Sequence, residues 1–133
     1  MSLPAWLDDL GTYLQTAGIG TLGTDIFYHG FDARTSNCIS LSDGAGPGAN
    51  TTLSGDMMLY KPELGVLVRN ASDTSANSKA LSIYNLLNLE TNFTSGTTRF
   101  KRIGAISEPF FVSKTANNLF IYSINFEIQI SGA

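Results

Sequence analysis

Apolar and polar residues alternate from Phe120 to Ile130 without a break. Phe120, Tyr122, Ile124, Phe126, Ile128 and Ile130 share one face, and Ile121, Ser123, Asn125, Glu127 and Gln129 share the other. A period of two over this length predicts an antiparallel strand with one buried face. Residues 4–16, PAWLDDLGTYLQT, follow a different period. Trp6, Leu10, Tyr13 and Leu14 recur at helical spacing, which predicts a helix with Pro4 in its first turn. Asp8 and Asp9 complement the positive end of its dipole, and Gly18 ends it. Adjacent carboxylates on a helix point about 100° apart, so this pair is poorly placed for acid–base work.

Between these segments, TDIFYHGF and NCISLS have strand character, with the turn-like DARTS between them. DMMLYKPELGVLVRN predicts a long strand in which Pro62, lacking a ladder donor, marks an edge, a bulge or a turn. Its VLVRN portion suits a central strand. Asp73 is the expected N-cap of a second helix over about residues 74–90. Ala76, Ala80, Ile83, Tyr84 and Leu87 form that helix's apolar stripe. NFTSGTT supplies turn chemistry, and RFKRIGAI predicts a further strand. Strands come in runs between helices. The expected fold is therefore α+β: one domain over residues 1–133, with a mostly antiparallel sheet packed with two helices.

The stretch SDGAGPGANTTLSGD, residues 42–56, follows a strand. Gly44, Gly46 and Gly48 do not make the dinucleotide fingerprint, and no lysine followed by Ser or Thr completes a phosphate loop. A phosphate cradle also needs a helix N-terminus after its glycines. Here the sequel is polar and then strand-like. The prediction is a long glycine-rich loop between strands, flexible in the isolated protomer and ordered when a neighbour packs on it. Its candidate interface residues are Asp43, Gly44, Gly46, Pro47, Gly48, Asn50 and Leu53.

Composition narrows the function. Charged residues make up 14% of the 133 and the net charge is -3, against about 25% charged residues in ordinary domains. A polar but weakly charged surface suits a protein packed against neighbours. An acidic balance argues against nonspecific nucleic-acid binding. The one basic knot, Arg99-Phe100-Lys101-Arg102, would divide its side chains between two strand faces. Cys38 is the lone cysteine and is expected to be a buried structural thiol. The sequons at Asn50, Asn70 and Asn92 are as expected by chance in a chain rich in Asn and Thr. No apolar run approaches the roughly 18 residues of a membrane span. The single histidine, His29, lies near Asp25 and Asp32, but no nucleophile elbow or metal-ligand spacing accompanies them. No catalytic, cofactor-binding or metal-binding residue is expected, and no cofactor.

The stretch YLQTAGIGTLGTDIFYHGF, residues 13–31, resembles the opening of small proteins from phage neck and tail gene clusters, namely minor capsid proteins similar to tail terminators. The likeness continues through Ile39–Gly48, Val66–Arg69, Ala76–Leu87 and Ile124–Ile130. It departs at PGANTTLSGDMM, which is longer and more polar than that pattern. The resemblance implies a virion structural protein of the head–tail neck, assembled in the host bacterial cytoplasm. It further implies a ring, hexameric, that caps the tail tube and meets both the tail tube protein and the head completion protein. It implies no enzyme. Two alternatives stay open. One is another phage assembly protein, such as a head–tail connector or tail tube subunit. The other is a small ligand-binding or enzyme module built around Asp25, His29 and the glycine-rich stretch.

Overall fold

The computed structural model describes residues 5–32, 35–51 and 58–132. Helix α1 (Ala5–Thr16) is followed by β1 (Ile26–Tyr28), β2 (Cys38–Thr51) and β3 (Met58–Asn70). Helix α2 (Asp73–Leu87) then leads to β4 (Glu90–Ser95), β5 (Thr98–Ala105), β6 (Phe110–Lys114) and β7 (Phe120–Gly132). The seven strands form one sheet in the order β1-β2-β3-β7-β5-β4, and β6 also pairs with β7. β1 runs parallel to β2, and the other pairs are antiparallel. Two helices with a mostly antiparallel sheet fit the expected α+β class.

The sheet register explains the core. Ile39 faces Val68 and Leu41 faces Val66 across β2 and β3. Val66 faces Ile124 and Leu64 faces Phe126 across β3 and β7. Ile103 faces Ile128 across β5 and β7. All of these are buried, and all join one cluster with Trp6, Leu7, Leu10 and Leu14 of α1 and Ala80, Ile83 and Leu87 of α2. The helices therefore cover the face that the alternation in β7 predicts. Lys61, Glu63, Glu127 and Gln129, at the intervening positions, are only partly buried or exposed.

Local chemistry sets the helix ends. Gly18, at φ 85°, closes α1. Its N–H donates to the Gln15 carbonyl at 3.1 Å, and the Ile19 N–H donates to Leu14 at 3.0 Å, the paired bonds of a Schellman motif. The N-cap of α2 is Ser72, one residue before the expected Asp73. Ser72 is extended, and its side chain accepts from Ser75 N at 3.3 Å. Asp73 is instead the first helical residue and accepts from the Tyr122 hydroxyl at 2.7 Å. The helix stops at Leu87, short of residue 90, because Leu89 takes φ 67° and donates its N–H to Ile103 O at 2.9 Å in β5.

Other expectations need correction. NFTSGTT is a strand, a tight turn and the start of the next strand, with Phe93 opposite Phe100. β6 has no counterpart among the sequence expectations. The largest difference concerns the glycine-rich stretch. Asp43, Gly44, Gly46, Pro47, Gly48 and Asn50 lie within β2 instead of a loop, while Leu53 lies outside the described residues. β3 supplies the reason. Met58–Glu63 is already paired with β7, and its other edge takes β2 from Gly44 to Thr51. A ladder bonds backbone to backbone, so a lack of side chains does not prevent it. The cost appears as an irregularity. Ala45, Gly46 and Pro47 bulge between Gly44 and Gly48, opposite Pro62, and neither proline has an N–H to give.

Asp9 ties α1 to the β4–β5 turn. Its Oδ2 accepts from Thr98 Oγ1 at 2.6 Å and from Thr97 N at 3.2 Å, and its carbonyl accepts from Ser95 Oγ at 2.7 Å. Asp8 accepts from the Tyr28 hydroxyl at 3.1 Å. Burial, then this hydrogen bond, raises the Tyr28 pKa. These carboxylates hold tertiary contacts beyond any dipole effect. At Gly96, φ is 58° and an added Cβ would overlap Asp9 Oδ1. At Gly18, φ is 85° and nothing lies within 4 Å of an added Cβ. Gly18→Ala should therefore cost only the left-handed strain, about 1–2 kcal/mol. Gly96→Ala should cost about 1–3 kcal/mol more, since Asp9 must leave its partners. Urea unfolding of both variants measures the difference.

Candidate functional site

The candidate residues sit where the β2–β3 hairpin extends past β1. β1 covers β2 only at Ile39, Ser40 and Leu41. From Ser42 to Thr51 the outer edge of β2 has no strand beside it among the described residues. The chain leaves β1 through two residues of positive φ, His29 at 58° and Gly30 at 139°. His29 N donates to Leu41 O at 2.9 Å, and Gly30 N donates to Ser40 Oγ at 2.9 Å. This turn brings His29 Nε2 to donate to Asp43 Oδ1 at 2.5 Å. The hydrogen bond from His29 holds the Asp43 carboxyl below its ordinary pKa, partly opposed by burial.

Asp25 and Asp32, the carboxylates near His29 in sequence, have other tasks. Asp25 Oδ1 accepts from Thr21 N at 2.6 Å, and its carbonyl accepts from Ile39 N at 2.7 Å. The Asp32 carbonyl accepts from Arg69 Nη2 at 2.7 Å. Only the parallel register of β1 on β2 could have pointed from His29 to Asp43, and nothing in the sequence states that register. Among the described residues, no three His, Cys, Asp or Glu side chains gather as a metal ion would require. Among the described residues, no helix is long and apolar enough to cross a membrane.

A cleft of about 220 Å³ lies between the β1–β2 connection and α2, lined by Asp25, Asn37, Cys38, Arg69 and Lys79 among others. Its two cations are already engaged. Arg69 Nη2 also donates to Thr35 O at 2.6 Å, with the guanidinium 4.5 Å above the Phe31 ring. Lys79 Nζ donates to Ile19 O at 2.9 Å. Cys38 is buried, as expected. Burial raises its pKa above the ordinary thiol value, against the lowering influence of Arg69. The cleft is a satisfied structural joint.

The opposite side of the sheet differs in character. β6 pairs only with β7, and its Phe110, Phe111 and Val112 are 46%, 51% and 48% exposed. Ile106, in the break between β5 and β6, is also exposed. Beside it, Arg102, Gly104, Glu127 and Gln129 line a second cleft of about 220 Å³ on the face without helices. Phe111 packs edge-on against Tyr122 at 5.7 Å, and Lys114 stands 5.3 Å from the Phe120 ring centroid. Three consecutive large apolar residues stand exposed at a free strand edge, where another chain could pair. The sequence signal was the run Phe110-Phe111-Val112 itself, which lacks alternation because one face of β6 is as open as the other.

These features suit protein–protein contact, and comparison with known proteins agrees. The family described as bacteriophage tail terminator protein matches residues 13–131. The chain belongs to the bacteriophage tail terminator family. It is a phage structural tail protein, as the sequence resemblance implied. Two solved structures share this fold. One, from the virion of a native gene transfer agent particle, has a TM-score of 0.62 at 12% identity over 94% of this chain and 90% of its own. The second has a TM-score of 0.57 at 14% identity, over 97% of this chain and 92% of its own. A comparison with curated proteins finds no match.

The His29–Asp43 pair gives the protein an acid-side pH dependence. Asp43 has a folded pKa below its ordinary 3.8, so its stabilisation is complete above that value. It is lost as pH falls through the lowered folded value. Both partners are about one-third exposed, which limits the effect to at most about 1 kcal/mol. Asp43→Asn should be less stable than wild type at pH 5 and converge with it as pH falls through the lowered value of the Asp43 carboxyl. Thermal melts across that range make the comparison.

Proposed function

We propose that this terminator assembles head to tail into a ring, hexameric, that caps the tail tube and joins it to the head completion protein at the virion neck. The family match over nearly the whole chain carries this reading. The edges of the sheet support it. A head-to-tail ring joins one patch to a different patch on the next copy. Besides the outer edges of β1 and β4, this sheet has two unlike unpaired edges among the described residues, a glycine-rich one on β2 and an apolar one on β6. Asp43, Gly44, Gly46, Pro47, Gly48, Asn50 and Leu53 belong to residues 43–55, the arm, which contacts the neighbouring subunit or the tube. The mechanism is mechanical: a closed ring occupies the growing end and leaves no site for another tube subunit.

Purified protein mixed with tail tubes should form one ring at one end of each tube in negative-stain images. Tube growth should then stop. A tube subunit would instead lengthen the tubes, and a protein that neither rings nor binds tubes would sink the terminator role. Replacing residues 44–54 by a short Gly-Ser turn leaves Leu41, Leu64 and Val66 in the core. This variant should keep its helical circular dichroism and lose at least ten-fold in capping. Wild-type capping by it would mean that the arm makes no needed contact.

A further inference from the structure

The unpaired edges of β2 and β6 lie on a diagonal. β1 covers Ile39–Leu41 of β2, which face Val66–Val68 towards the end of β3. β4 covers β5, which lies beside the other end of β7. Apart from the outer edges of β1 and β4 themselves, the uncovered lengths among the described residues are β2 from Ser42 onward at one side and β6 at the opposite side and opposite end. We infer that the outer edge of β6 on one copy docks the glycine-rich edge of β2, from Ser42 to Gly48, on the next copy. This rests on the ring reading and names the surfaces that would join.

Strand direction permits the pairing. β6 is antiparallel to β7, β7 to β3, and β3 to β2. β6 of one copy is thus antiparallel to β2 of an identically oriented neighbour, as in most of the sheet itself. Shape agrees as well. Phe110, Phe111 and Val112 need a partner edge without bulky side chains, and Gly44, Gly46 and Gly48 provide one.

Charge sets the register. Lys114 faces Phe120 across β6 and β7, with its ammonium on that ring. Phe120 is on the same face as Tyr122, whose hydroxyl bonds Asp73 of α2. Asp43 faces the buried Leu64, so it too is on the helix-bearing face. Residues directly opposite in an antiparallel pair share a face. Lys114 opposite Asp43 satisfies this rule and lays Phe110–Val112 along the glycines. Lys114 has no carboxylate partner within its own chain among the described residues.

Zero-length carbodiimide coupling of rings assembled on tail tubes tests the contact. Within one copy Lys114 and Asp43 are three strands and about six residues of rise apart, on the order of 20 Å or more. A Lys114–Asp43 link is therefore between copies. Mass spectrometry of an equal mixture of ¹⁴N and ¹⁵N protein should show mixed-isotope Lys114–Asp43 peptides. Val112→Lys, which charges the edge, should reduce ring formation and the link at least ten-fold while circular dichroism stays that of wild type. Lys114→Glu should do the same, and Lys114→Glu with Asp43→Lys should recover at least part of the loss. Rings without the link, or rings at wild-type yield from Val112→Lys and Lys114→Glu, would overturn the edge pairing and leave the ring standing. Wild-type protein that forms no ring on tubes would overturn both.

Discussion

β7 pairs with β3 along one edge and with both β5 and β6 along the other. Its Ile124, Phe126, Ile128 and Ile130 occupy the middle of the apolar face, and both helices pack onto that face. This strand's alternation constrains the fold more than any other feature. A one-residue slip would turn all four side chains to the bare face. The register is therefore held by burial along its whole length. Neighbouring strands inherit it: Leu64, Val66 and Val68 must alternate in step with β7, and Ile39 and Leu41 in step with β3.

Burial on one face leaves the strand edges to be managed separately. Small sheets blunt their edges with short strands, bulges, prolines or charges. This chain uses several such devices, each over part of an edge. β1 covers three residues of β2. Beyond it, a bulge and Pro47 disturb the ladder. β4 covers β5, but no strand covers β6 among the described residues, and β6 carries exposed Phe110, Phe111 and Val112 with a single charge, Lys114, at its end. The protection is uneven, and the least protected strand is also the most apolar at the surface. In a monomer that would be an aggregation hazard. In a protein that closes a ring it is material for an interface.

Legibility in the sequence followed the strength of periodicity. α1, α2 and β7 were readable because each repeats its apolar positions several times against one core. β6 has no covered face, so it leaves no period to detect. β4 looked like turn chemistry because Asn92 and Gly96 adopt positive φ at 51° and 58°, although the residues between them pair with β5. The glycines of β2 suggested a loop, since side-chain statistics dominate such readings. The ladder that holds them depends on β3, a partner determined by tertiary structure. His29 and Asp43 were each visible, but their meeting depends on the parallel register of β1 and β2. Likewise, Asp9 was legible as a helix-end acid and not as the anchor of a distant turn.

Fold similarity at 12% identity over 94% of the chain follows from what the core requires. The shared apolar face asks only for residues of suitable volume at alternate positions, and many sequences satisfy that. The free edges are under no such rule. They need to complement one particular neighbour in shape, charge and register, and a change on one edge can be offset on the other. Two proteins can therefore keep this sheet and these helices while exchanging every contact on their edges. In the proposed ring, contact is then made by the least periodic parts of the sequence: the glycine-rich edge of β2, the Phe110–Val112 run and the charges at their ends.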